Sequence, residues 1–204
     1  MAFLDELAGL FGFLGPAGTL VALFFIFVVD AAVFPALPEV AIVLTYSFRP
    51  GWIDPIPWAV LLLVMAVGGE AVGNSALYLL VRHAIVQRGR MPAVVERLMR
   101  RWVGFLLVRD ERVILLNRIA PVLPMVGAFI ATCHWDFRKS LAYIVTGAGA
   151  KYALLLLLSG AVGLAYDAAT ARWLTFGLVL GVVALSAVAS LVVRRRAGVP
   201  PRPD

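Results

Sequence analysis

The sequence has one cysteine, Cys133, and two histidines, His83 and His134, in 204 residues. A lone cysteine forms no internal disulfide, and this inventory leaves no Cys/His spacing for a metal site. No metal and no cofactor are expected. Charge is also scarce: 15% of residues are charged and 62% are hydrophobic, against about 25% and about 45–50% in soluble domains. So little polar surface cannot coat a water-soluble globule. A soluble enzyme is excluded, and an all-α integral membrane protein with a single membrane domain is expected. Lysine is nearly missing, with two lysines against sixteen arginines. The net charge of +6 does not point to nucleic acid, because the basic residues sit mostly between long apolar runs, where they report topology.

Three segments have the ~20 apolar residues that a crossing needs: 58–81, 140–164 and 173–193. Residues 1–14 carry Asp5 and Glu6 but no basic stretch, and read as a short interfacial helix rather than a cleavable signal. Residues 92–107 set apolar side chains beside Arg97, Arg100 and Arg101, as in an amphipathic helix lying on headgroups.

Two other apolar stretches do not fit simple crossings. The first, 16–48, is broken by Pro35 and Pro38; the second, 113–133, is broken by Pro121 and Pro124. Proline inside a helix removes a backbone hydrogen bond and clashes with the preceding turn. The first is too short for two crossings and is expected to be a re-entrant helical hairpin; for the second, charge placement argues for the same form over a single crossing. Re-entry of the second also keeps the basic loop 82–112 and the Arg138-Lys139 pair on one side. With the basic tail 194–204, that side carries 14 of the 18 basic residues, and the positive-inside rule makes it cytoplasmic. A multi-pass protein of the plasma membrane is expected.

Shifting the sequence by 86 positions aligns Pro-Ala-Leu-Pro-Glu-Val from Pro35 with Pro-Val-Leu-Pro-Met-Val from Pro121. A long span follows each. One hairpin then enters from each side, giving an inverted repeat whose broken helices meet near the midplane, as in many secondary transporters.

Five ionisable residues fall at membrane depth: Asp30, Glu39, Glu70, Arg118 and Lys151. Such groups cost ~2.5 kcal/mol or more to insert and mark functional sites by default. Asp30 and Glu39 bracket the first break, and Arg118 precedes the second. Arginine binds phosphate bidentately and keeps its charge, and a buried carboxylate can exchange a proton. Arg118 is therefore the expected phosphate ligand, with Asp30 and Glu39 coupling protons or balancing charge. Glu70 and Lys151 are expected either to pair with each other or to line the pathway. Glycines 68, 69 and 73 are expected to serve close helix packing, and Asn74 and Tyr78 core hydrogen bonding.

The stretches Asp-Ala-Ala-Val-Phe-Pro-Ala-Leu-Pro-Glu (30–39), Gly-Gly-Glu-Ala-Val-Gly-Asn-Ser-Ala-Leu-Tyr (68–78) and Arg-Ile-Ala-Pro-Val-Leu-Pro (118–124) resemble the DedA superfamily, also called the SNARE-associated Golgi protein or VTT-domain family. Residues 135–149 extend the likeness. The R-x-x-P-x-x-P form is similar to the eukaryotic and archaeal branch, since Pro124 stands where many bacterial members carry a second arginine. The resemblance implies opposed re-entrant hairpins and lipid translocation, of polyprenyl phosphate in bacterial members and phospholipid in eukaryotic ones. It makes Asp30 and Glu39 the acids of the first hairpin and Arg118 the arginine of the second.

The expectation is thus a non-enzymatic flippase or scramblase for a phosphate-headgroup lipid, with the bilayer and its lipid as partners, protons as a coupling ion and a homo-oligomer compatible with the reading. A proton-coupled exporter of small cations or drugs, and a non-transporting membrane assembly protein, remain as alternatives.

Overall fold

The computed structural model describes the backbone of residues 2–32, 38–86, 111–119 and 125–166, with scattered helical positions between 170 and 188. The surface helix expected over 92–107, most of the span 173–193, the tail 194–204 and Pro35, Pro121 and Pro124 lie outside the described residues. All regular structure among the described residues is helical. Helix α1 covers Ala2–Ala32, α2 Pro38–Ser47 and α3 Pro55–Val81, the last running into a π-helical turn at Arg82–Val86. After the undescribed loop come α4 (Val113–Ile119), α5 (Val126–Thr132) and α6 (Phe137–Ala165).

Three helical segments among the described residues are long and apolar enough to cross a membrane: Gly12–Ala32, Pro55–Ala84 and Phe137–Ala165. The first covers the opening limb of 16–48. Two helical pieces meet there at a kink, and Pro16 opens the second. Gly15 (φ 61°, ψ 175°) absorbs the bend there. Proline disfavours helical backbone in the residue before it, and glycine tolerates the positive φ that results. The other two begin three residues earlier than expected. Pro55 suits the first turn of α3, and Asp136 caps α6 by accepting a hydrogen bond from the Lys139 backbone N–H at 2.9 Å.

The long helices bury a stripe and expose apolar side chains elsewhere. On α3, Trp58, Leu62, Ala66, Glu70, Asn74, Leu77 and Val81 are buried, while Val60, Leu61, Val64, Val72 and Leu80 are exposed. Apolar side chains thus face outward as well as inward, and the ionisable Glu70 is kept inside, which suits a bundle surrounded by hydrocarbon.

Glycines on the stripe let α1 reach α3 backbone to backbone. A Cβ on Gly69 would lie 2.6 Å from the Phe24 carbonyl oxygen, and one on Gly73 only 2.4 Å from that of Val28. Four residues advance on both helices between these contacts, so α1 and α3 run parallel. Helix α2 returns between them in sequence, and its end is tied to α3 where Trp58 Nε1 donates to the Thr45 carbonyl at 3.2 Å.

The offset of 86 carries α2 onto 124–133, which contains α5, and α3 onto 141–167, which α6 largely fills. Both halves therefore read helix, break, short helix, long helix. The short helices cross over: α2 packs on α6, and α5 packs on α3. Position 74 corresponds to 160 under the same offset, and both are contact points. A Cβ on Gly127 of α5 would lie 2.3 Å from the Asn74 carbonyl oxygen, and one on Gly160 would lie 3.1 Å from the Tyr46 hydroxyl of α2. The long helices run antiparallel, as Tyr78 stacks on Phe137 (4.5 Å, 25°) and Glu70 meets Tyr152 farther along.

The second broken segment closes on itself. The Asp136 backbone N–H, just before α6, donates to Glu111 Oε1, just before α4, at 3.1 Å. The two ends of 113–133 are therefore neighbours. Met125 adopts left-handed backbone (φ 53°, ψ 53°) immediately before α5, a conformation uncommon outside glycine.

Candidate functional site

The centre of the bundle is organised by two consecutive residues of α6. Lys151 is the middle residue of that 29-residue helix, about 21 Å from either end at 1.5 Å per residue. Its ammonium pairs with Glu39 Oε1 in the first turn of α2. Tyr152, about 100° farther round the helix, turns to α3 instead, where its hydroxyl donates to Glu70 Oε1 at 2.5 Å. The Tyr152 ring meets Phe27 of α1 edge-on, with centroids 5.0 Å apart and planes at 90°. Four helices, α1, α2, α3 and α6, are thus joined through one dipeptide.

The two acids sit in different surroundings. Glu70 and Tyr152 are 2% and 1% exposed, fully inside the bundle. The Lys151 and Glu39 side chains retain 24% and 15% exposure. A sealed buried charge must be neutralised by its neighbours. The Lys151 ammonium is compensated by Glu39 and lies 5.4 Å from the Tyr152 ring centroid, within cation–π range.

A second polar link leads to the other half. Asn74, one turn beyond Glu70 on α3, donates from Nδ2 to the Glu70 carbonyl at 2.9 Å, and its Oδ1 accepts the Gly127 backbone N–H at 3.2 Å. This satisfies an amide near the start of a seven-residue helix, where early N–H groups have no partner within the helix. Tyr78, another turn on, stacks on Phe137 and accepts a hydrogen bond from Arg82. Asn74 and Tyr78 are both buried and hydrogen-bonded.

The structure brings some of the expected residues together and separates others. The Glu70–Lys151 pair is corrected: Lys151 pairs with Glu39, and Glu70 receives the Tyr152 hydroxyl. The reason is rotational, because Lys151 faces α2 while its neighbour faces α3. Glu39, at the break of the first segment, therefore balances Lys151. Asp30 lies half-buried on α1, nearly one turn beyond Phe27. Arg118 is the sixth residue of α4, and only its backbone is described. Pro38 opens α2 and is buried. Among the described residues no three His, Cys, Asp or Glu side chains stand together as a metal site. Tyr152 was not legible as a partner of Glu70, although a tyrosine beside a midspan lysine is a signal for a buried hydroxyl donor.

The chain matches no family model, no curated protein and no solved structure.

Proposed function

We propose that this protein is a plasma-membrane translocase that moves a phosphate-headgroup lipid between leaflets. In this reading 16–48 and 113–133 are re-entrant hairpins that enter from opposite faces, with the basic loop 82–112 and the C-terminal tail in the cytoplasm. The observation that carries the reading is the Glu39–Lys151 ion pair. It is a charge pair halfway along a span-length helix, contributed by the short helix of one half and the long helix of the other. Charges at that depth are costly, and the junction of two broken-helix repeats is where transporters of this design place their substrate.

Two further features support it. The Glu111–Asp136 hydrogen bond joins the ends of the second broken segment, as re-entry requires. The apolar outer faces of α3 and α6 leave a lipid tail in contact with hydrocarbon while its headgroup crosses. Arg118, placed by the second break, is the phosphate ligand in this scheme, and Asp30 and Glu39 balance charge or carry a coupling proton. The resemblance of 30–39, 68–78 and 118–124 to the DedA superfamily agrees with this assignment.

The test is leaflet exchange of fluorescent phospholipid and of a polyprenyl phosphate in proteoliposomes. Wild type exchanges at least one of them, and Arg118→Ala, folded by its melting curve, loses about tenfold or more. An unchanged rate in Arg118→Ala removes that role. A second reading, proton-coupled export of a small cation, draws on the acid excess at depth, where Asp30, Glu39 and Glu70 stand against Arg118 and Lys151. It predicts solute flux without lipid exchange.

A further inference from the structure

We propose that Glu39 is a built-in placeholder for the lipid phosphate, and that Lys151 exchanges one anion for the other during transport. The proposal rests on the translocase reading above and adds a second cation and an exchange step to it. Three observations carry it. Lys151 stands at the centre of α6, and its only compensating acid among the described residues belongs to α2, a ten-residue helix from the other half of the bundle. The pair remains partly open, whereas the neighbouring Glu70–Tyr152 contact is sealed. A pair that trades partners has to be reached by its second anion, and this one is open to it. The cation is also a lysine, a compact charge on a flexible stem, which is held by no fixed bidentate fork.

The physics favours an exchange of anions over simple separation of the pair. An ammonium left unpaired in a low-dielectric interior is strongly unfavourable. Departure of Glu39 is therefore costly unless another anion takes its place. The arriving group needs a full negative charge, several acceptor oxygens and a tail that can stay in hydrocarbon. A phosphate headgroup satisfies all three. Departure of the phosphate then requires the return of Glu39, so the resting pair resets the site. No covalent bond forms or breaks.

The sequence supplies a clean assay, because its only lysines are Lys139 and Lys151. A hydrophobic carbodiimide activates a carboxylate and joins it to an adjacent amine as an amide, and peptide mass spectrometry then reports the Glu39–Lys151 cross-link. The experiment uses wild-type protein in proteoliposomes, with dihexanoyl phosphatidate as probe and inorganic phosphate in parallel. The cross-link should form without probe, fall about tenfold with saturating phosphatidate, and abolish leaflet exchange where it has formed. A cross-link indifferent to phosphatidate, or absent without probe, overturns the exchange. Suppression by inorganic phosphate at the same concentration makes the ligand a free anion and overturns its lipid identity.

A second measurement uses Glu39→Gln with Lys151→Gln, which removes both charges together and leaves none unpaired. The exchange predicts wild-type melting with leaflet exchange reduced about tenfold or more. A simple fastening role predicts wild-type rates. Wild type that exchanges lipid while this double variant matches it overturns the placeholder alone. Wild type that moves no lipid overturns the translocase reading and the placeholder with it.

Discussion

The Tyr152 hydroxyl of α6 donates a 2.5 Å hydrogen bond to Glu70 of α3, and both residues are almost wholly buried. Tyr152→Phe keeps the ring against Phe27 and removes only the donor. The variant should lose about 1–3 kcal/mol of stability, the cost of withdrawing a partner from a buried polar group. Melting in detergent checks this, with Phe27→Leu as a packing comparison.

The contact of α1 with α3 tests the glycine stripe. Gly73→Ala places a methyl 2.4 Å from the Val28 carbonyl oxygen and 2.9 Å from the Ala31 Cβ. Overpacking of this kind costs about 1–3 kcal/mol. Gly68→Ala meets nothing closer than a Phe24 ring carbon at 3.7 Å, and alanine is the better helix former. Gly68→Ala should therefore melt at or above wild type and Gly73→Ala below it. Equal melting of the two would remove the close approach.

Asn74 joins the halves of the molecule through one amide. Asn74→Leu leaves the Gly127 N–H without its acceptor and should cost about 1–3 kcal/mol. Asn74→Asp keeps the acceptor for Gly127 while losing the donor to the Glu70 carbonyl, so its position between wild type and Asn74→Leu in a melting series apportions the two bonds.

Asp136 gives a pH signature outside the spans. The Lys139 backbone N–H holds its carboxyl below the usual aspartate range, with the Arg138 backbone N–H and the charges of Lys139 and Arg138 acting the same way. A depressed folded pKa means that the cap's contribution is present above the unfolded value, near ~3.9, and fades as pH falls through the folded value. Asp136→Asn keeps an N-capping oxygen and should flatten this acid dependence without abolishing the cap. A carboxyl titrating at the ordinary aspartate value by NMR would contradict it.

The long helices were legible in the sequence because an apolar run of span length has few alternatives. The readings 58–81 and 140–164 became Pro55–Val81 and Phe137–Ala165, short only where a proline and a capping aspartate extend the first turn. The opening helix was harder. Its length depends on whether the chain passes Gly15-Pro16 as one helix or two, and the non-helical φ/ψ of Gly15 makes it a kink between two helical pieces. The five charges at depth were visible, but not their pairing. Lys151 and Tyr152 are adjacent in sequence yet serve different helices, and which neighbour each one meets follows from the rotation of α6 against α2 and α3. No spacing in a single sequence encodes that rotation.

The α1–α3 seam at Gly69 and Gly73 sets main chain and the Cβ atoms of Phe27 and Ala31 against empty Cβ positions. Such a seam has no rotamers to exchange, so the two helices cannot ratchet past one another as side-chain ridges can. Helix α2 is held against this bundle at one end by Trp58 and near the other by the Glu39–Lys151 ion pair.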